Sequence, residues 1–230
     1  LAAHFQPPAR SASLLDLGSG CGIIGLIVMY RWREKIRNIA ALEIQPALAG
    51  LTQQNFIENG YQSKCRAVQG DLKNILQIFE PESFSQVICN PPFYKEGSGR
   101  KNIAPEALLA RHQILANLSE IVRAAASVLK SGGCLVLIYP AERLSELMSC
   151  LTESRLEPKR LQIVYSYPDD TASAKMVLVS AVKNGGREIR ILPPLYIYSE
   201  KNGSYSPQMQ QLYATGEVEQ SDPATGIEEQ

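Results

Sequence analysis

Two short segments hold side chains whose types and spacing could do chemistry: Asn90-Pro91-Pro92-Phe93, which ends an apolar run, and Asp16-Leu17-Gly18-Ser19-Gly20-Cys21-Gly22, well upstream of it. The tetrapeptide suits methyl transfer to a planar amine. In such an amine the nitrogen lone pair is delocalised into the ring, so it attacks poorly until that pair is localised. Two acceptors aimed along the N–H bonds achieve this: the Asn90 side-chain oxygen and the Pro91 main-chain carbonyl. Pro91 and Pro92 stiffen the turn and remove backbone donors that would otherwise occupy those acceptors. Phe93 supplies a ring to stack on a base, a contact worth about 1 to 3 kcal/mol in single-strand binding proteins. That energy partly offsets the unstacking of a base drawn out of its helix. No strong base is needed before attack, because the proton becomes acidic once nitrogen carries the methyl group. Read alone, Asn-Pro-Pro is also an ordinary strand-ending turn.

The glycine segment continues as Gly20-Cys21-Gly22-Ile23-Ile24-Gly25, which matches the dinucleotide fingerprint G-x-G-x-x-G as well. Asp16 points elsewhere: a carboxylate at the strand end repels a pyrophosphate but suits a cationic amino acid, such as the methionine part of S-adenosylmethionine. Gly18, Gly20 and Gly22 let the backbone turn sharply and approach a ligand closely. Glu43, closing the second strand, is placed to accept hydrogen bonds from ribose hydroxyls, which identifies a ribose and no more. Asp71 would receive the adenine amine, with the ring between Ile44 and Leu72; it serves equally as a helix N-cap before Leu72, and the two roles are compatible. The expected cofactor set is therefore Asp16, Gly18, Gly20, Gly22, Glu43, Ile44, Asp71, Leu72 and Asn90. The catalytic set is Asn90, Pro91, Pro92 and Phe93, and no metal is expected.

Around these segments short β-type runs alternate with helical patterns, the mark of an α/β chain with a mostly parallel sheet covered on both faces. Strands are expected at Ser13 to Leu17, Ile39 to Glu43, Cys65 to Gln69, Ser85 to Cys89, Cys134 to Tyr139, Arg160 to Tyr165 and Met176 to Val182. Helices are expected at Gly22 to Arg33, Pro46 to Asn59, Leu72 to Ile78, Ala107 to Leu129 and Ala141 to Glu153. Gly60 and Gly132-Gly133 read as helix-ending glycines. Seven strands with an antiparallel final hairpin resemble the Rossmann-like fold of class I methyltransferases. Residues 1–183 are expected to form that domain and 184–214 an appendage on it, with a turn at Asn202-Gly203 between tyrosine-rich strands. The polar, acidic stretch 215–230 is expected to fray.

At 230 residues, with 45% hydrophobic and 20% charged content, the chain can bury a core in one domain without staples. Lysine plus arginine equals aspartate plus glutamate at 23 each, so no global field recruits a polyanion and any RNA contact must come from a local basic patch. Cys21, Cys65, Cys89, Cys134 and Cys150 are scattered with no C-x-x-C, which reads as free thiols in a reducing compartment. No apolar stretch nears the roughly 20 residues of a membrane span, and no leader pattern is present. A cytoplasmic monomer is expected. The chain begins Leu1-Ala2-Ala3-His4-Phe5 without methionine, and a native segment is expected to precede it.

The tetrapeptide, the run Leu14 to Gly22, Ala110-Arg111-His112, Leu129-Lys130-Ser131-Gly132-Gly133, Arg143-Leu144, Lys175 to Val182, Pro193-Pro194-Leu195 and Tyr205 to Tyr213 together resemble the bacterial tRNA-valine adenine-N6 methyltransferases. These belong to the small-domain methyltransferase superfamily. The resemblance implies methylation of the adenosine 3′ of the anticodon, adenosine 37 of tRNA-Val, with S-adenosyl-L-methionine as cofactor and tRNA as substrate. It places cofactor contacts on Asp16, Gly18, Glu43 and Asp71, and the adenine on Asn90 to Phe93. RNA contact is expected at Lys95, Arg100, Lys101 and Arg111, on a stretch whose glycines allow ordering on binding and whose cations can neutralise phosphates. An ordinary solvated loop explains the same residues. Three rivals share the motif or the fold: a glutamine-amide methyltransferase of a release factor, a ribosomal RNA guanine-N2 methyltransferase, and an RNA-binding module without turnover. A nicotinamide oxidoreductase would need a hydride-handling residue near the fourth strand, which Asn-Pro-Pro does not offer.

Overall fold

Strand β1 (Ala12–Leu17) is buried at every position, as a strand covered on both faces must be. The computed structural model describes residues 1–2, 4–7, 12–91, 117–169 and 173–214. Within them, β1 pairs in parallel with β2 (Ile36–Glu43) and β4 (Phe84–Cys89), and β2 pairs in parallel with β3 (Cys65–Gln69). Strand β5 (Leu129–Pro140) continues the parallel set beside β4. Strand β7 (Met176–Lys183) then inserts antiparallel between β5 and β6 (Leu156–Tyr165). The order is β3-β2-β1-β4-β5-β7-β6, which delivers the expected fold class and antiparallel close.

The strand count differs from expectation. Two short strands, β8 (Arg190–Ile191) and β9 (Leu195–Tyr196), both pair in parallel with the outer edge of β6 and make nine strands among the described residues. The 184–214 segment thus extends the sheet. The tyrosine-rich strands expected around Asn202-Gly203 reduce to a single antiparallel bridge, Tyr198 to Tyr205, across a turn in which Asn202 takes φ 59°.

On one face, Val28 and Met29 of α1 (Ile23–Trp32) and Phe56 of α2 (Pro46–Glu58) pack with Phe5 over Leu14, Ile39, Ile88 and Val136. The other face carries α3 (Ile75–Ile78, preceded by a 3-10 turn at Leu72–Asn74), α4 (Leu118–Val128) and α5 (Leu144–Glu153, preceded by a 3-10 turn at Ala141–Arg143). Helix α4 buries Leu118, Ile121, Val122, Ala125 and Val128 on one stripe, the spacing that its sequence predicts. It starts later than expected. Asn117 is extended and forms a reciprocal capping box with Glu120, so a helix cannot run unbroken from Ala107 to Leu129; residues 107–116 lie outside the described set.

Gly132 does not end a helix. Helix α4 stops at Val128, and Gly132, with φ 76°, lies within β5 where pairing with β4 jumps from Phe84↔Leu129 to Gln86↔Cys134. The positive φ serves a bulge in the strand. Gly60, with φ 75°, does follow α2 as expected.

Candidate active site

Registers put the candidate residues in one row along the carboxyl edge of the sheet. Leu17 of β1 is level with Leu42 of β2 and Cys89 of β4, while Glu43 is level with Gln69 of β3. Asn90 therefore leaves β4 beside Gly18, and Asp71 leaves β3 beside Glu43. Neighbouring strands are about 4.8 Å apart, so the four strand ends span roughly 14 Å.

Asp16 is 1% exposed, and its Oδ2 accepts a 3.1 Å hydrogen bond from the Gly25 N–H. Gly25 is in the first turn of α1, where backbone N–H groups lack intrahelical partners, and the cap residue Gly22 has no side chain to supply one. Asp16 thus caps α1 from the neighbouring strand, with its charge at the favourable end of the helix dipole. Its Oδ1 is buried without a hydrogen-bond partner, and so is the Ser19 Oγ in the same turn. Burial, with Glu43 nearby, pushes the Asp16 carboxyl up to about 7 against the pull of the Gly25 N–H.

Glu43, also buried, clamps the turn: Oε2 accepts from the Gly20 N–H at 2.9 Å and Oε1 from the Gln45 N–H at 3.0 Å. Each oxygen keeps a second lone pair. Gly18, Gly20 and Gly22 take φ of 73°, 58° and 80°. At Gly22 a Cβ would also come within 2.7 Å of Thr52 Cγ2, so space as well as conformation requires glycine. Asp71 is the N-cap of the 3-10 turn, accepting from the Lys73 N–H at 2.9 Å; its capping role is realised. Ile44 and Leu72 are half-buried beside their strand ends. Asn90 is exposed and Pro91 buried. Pro92, Phe93, Lys95, Arg100, Lys101 and Arg111 lie outside the described residues.

Two positioning residues were missed from sequence. The Thr52 hydroxyl donates to the Gly20 carbonyl at 2.7 Å and the Asn55 amide to the Cys21 carbonyl at 2.8 Å, both from α2. Thr52 is fully buried. Helix α2 has no marked apolar stripe that would have set Thr52 and Asn55 apart in the sequence.

The polar atoms left without partners at these strand ends match S-adenosylmethionine. A buried carboxylate oxygen and a buried hydroxyl, both orphaned at the end of β1, fit a cationic amino group; a second carboxylate stands at the end of β2 on one side and an exposed amide at the end of β4 on the other. The residues fit the cofactor.

The family model of the methyltransferase small domain matches residues 1–154. The chain belongs to that family. Among relatives of this small-domain methyltransferase, the tRNA1(Val) (adenine(37)-N6)-methyltransferase of Shewanella sp. (strain W3-18-1) is 27% identical over 209 residues, covering 90% of this chain and 85% of its own. The protein of that name from Actinobacillus succinogenes is 28% identical over 199 residues, covering 84% and 78%. Solved structures show the same fold. An O-methyltransferase, so assigned by prediction, from Agrobacterium tumefaciens superposes with a TM-score of 0.72 at 20% identity, covering 92% of this chain and 93% of its own. A geranyl diphosphate methyltransferase in complex with S-adenosylmethionine gives 0.55 at 13% identity, covering 80% and 82%. Among the described residues no helix is long and apolar enough to cross a membrane, and no group of three or more His, Cys, Asp or Glu could hold a metal.

Proposed function

We propose that this small-domain methyltransferase is a cytoplasmic enzyme that methylates the exocyclic N6 of an adenosine in tRNA, at adenosine 37 beside the anticodon of tRNA-Val, using S-adenosylmethionine. The observation that carries this reading is the level pairing of Leu17 with Cys89, which sets the Asn90 acceptor next to the glycine turn. The names of the relatives supply the substrate.

In this reading Asp16 Oδ1 and Ser19 Oγ take the cationic amino-acid end of the cofactor, Glu43 the ribose through its spare lone pairs, and Asp71, Ile44 and Leu72 the adenine. Gly18, Gly20 and Gly22 let the backbone approach. When bound, the cofactor supplies an activated methyl group. Asn90 and the Pro91 carbonyl accept the two N–H groups of the target amine and draw its lone pair out of the ring, so that it points at the methyl carbon. Pro92 holds the turn and Phe93 stacks on the base. After transfer the nitrogen bears the positive charge, the same acceptors stabilise it, and a proton leaves to water. Preorganised groups of this kind contribute about 100- to 1000-fold each in rate.

The test offers labelled S-adenosylmethionine with unmodified tRNA, ribosomal RNA and release factor separately, followed by digestion and identification of the product. N6-methyladenosine in tRNA is expected. Label confined to a protein glutamine or to guanine of ribosomal RNA would keep the chemistry and overturn the substrate.

A further inference from the structure

Four tyrosine, phenylalanine or tryptophan side chains among the described residues are strongly exposed: Tyr30, Tyr198, Tyr205 and Tyr213. Three of them form one stack. Tyr198 and Tyr205 lie with ring centroids 5.5 Å apart and planes 10° apart, and Tyr213 continues the column 5.4 Å from Tyr205. They are 39%, 43% and 68% exposed. The Tyr213 plane is tilted 37° from that of Tyr205, and a contiguous group of exposed rings of this kind marks a surface for a partner.

Its place in the fold is fixed by hydrogen bonds. Beyond the parallel pairing of β9 with the end of β6, the Ile197 and Tyr198 N–H groups donate to the Tyr165 and Ser166 carbonyls at 3.0 and 2.8 Å. Tyr198 therefore stands past the carboxyl end of β6, on the same edge as the glycine turn and Asn90. Strands β5, β7 and β6 run beyond the end of β4: Leu137 is level with Cys89, whereas Pro140, Met176, Val164 and Leu195 share a level three residues further on. The stack is thus carried on strands that project past the end of β4, about four strand spacings, roughly 19 Å, to the side of Asn90. The exposed Lys175, whose N–H pairs with the Val164 carbonyl, stands at the same rim.

We propose that the Tyr198–Tyr205–Tyr213 stack is a second RNA contact, on which an unpaired base of the substrate loop stacks while the target adenosine lies at Asn90. This rests on the reading of the substrate as RNA. Every nucleobase has a π-face, so an aromatic column takes unpaired RNA without sequence reading; the position on the active edge, with Lys175 available to a phosphate, favours that occupant over an apolar peptide.

The test measures binding of unmodified tRNA by fluorescence anisotropy, without cofactor, together with methyl transfer, for the full chain and its Tyr213→Ala, Tyr205→Ala and Tyr213→Phe variants. Tyr213 is the most exposed ring of the stack, so its loss spares the fold. Tyr213→Ala is expected to weaken tRNA binding about tenfold and to raise KM for tRNA alike, with kcat and KM for the cofactor unchanged. Tyr213→Phe should match the parent. Equal tRNA affinity of the parent and both alanine variants overturns the stack as a contact, whether or not transfer occurs. Weaker cofactor binding in Tyr213→Ala would assign the residue to the fold and overturn it likewise. Binding with the expected losses but without methyl transfer would sustain the contact while the proposed reaction failed.

Discussion

At the scale of single residues, Asp16 joins a structural contact to the charge proposed to hold the cofactor. It caps Gly25 through one oxygen and leaves the other buried and unpaired. Because its folded pKa, about 7, lies above the ordinary value of 3.8, the folded chain holds the proton more tightly than the unfolded one. Stability from this group is complete below about pH 4 and is lost as pH rises toward 7. Asp16→Asn, whose amide oxygen can still accept from Gly25, should raise the free energy of unfolding at pH 8 by an amount on the order of a few kcal/mol and change it little at pH 4, as denaturant titrations at the two pH values would read. The same variant should lose cofactor binding. A cationic ligand selects the ionised form, so cofactor affinity of the parent should fall about tenfold from pH 8 to pH 6 as that form becomes scarce. Calorimetric titrations at the two pH values check this; equal affinities would place the charge elsewhere.

Among the elements, α2 does for the turn what the turn's own residues cannot. Thr52 and Asn55 fix the carbonyls of Gly20 and Cys21, while Glu43 fixes the Gly20 N–H. Thr52→Val keeps the shape and removes the 2.7 Å bond, which should cost about 1 kcal/mol of stability and weaken cofactor affinity several-fold with kcat at saturation unchanged. A fall in kcat alone would assign Thr52 to the reaction instead. The contrast with the glycines shows what was legible. Asp16, the glycine turn, Glu43 and Asn90 could be read because each ends a strand with a strong apolar pattern, and strand ends of a parallel sheet share one edge. Thr52 and Asn55 meet the turn only after α2 has packed against it, a contact that no local pattern encodes. Gly132 was misread because a helix end and a strand bulge demand the same positive φ. Strands β8 and β9, two residues each, are too short to leave an alternation.

For the molecule as a whole, zero net charge restricts RNA attraction to local groups. If Lys95, Arg100, Lys101 and Arg111 each neutralise a phosphate, tRNA affinity should fall roughly 50-fold between about 50 and 200 mM salt; a nearly flat dependence would remove phosphate contacts from that segment. The sheet brings Asn90, at the end of β4, beside the glycine turn at the end of β1. Single-turnover methyl transfer to tRNA by Asn90→Ala, paired with cofactor affinity on the same preparation, shows whether that placement carries the reaction. The rate should be at least 100-fold lower with cofactor affinity within a few-fold of the parent. An unchanged rate would contradict it, as would a loss wholly explained by weaker cofactor binding.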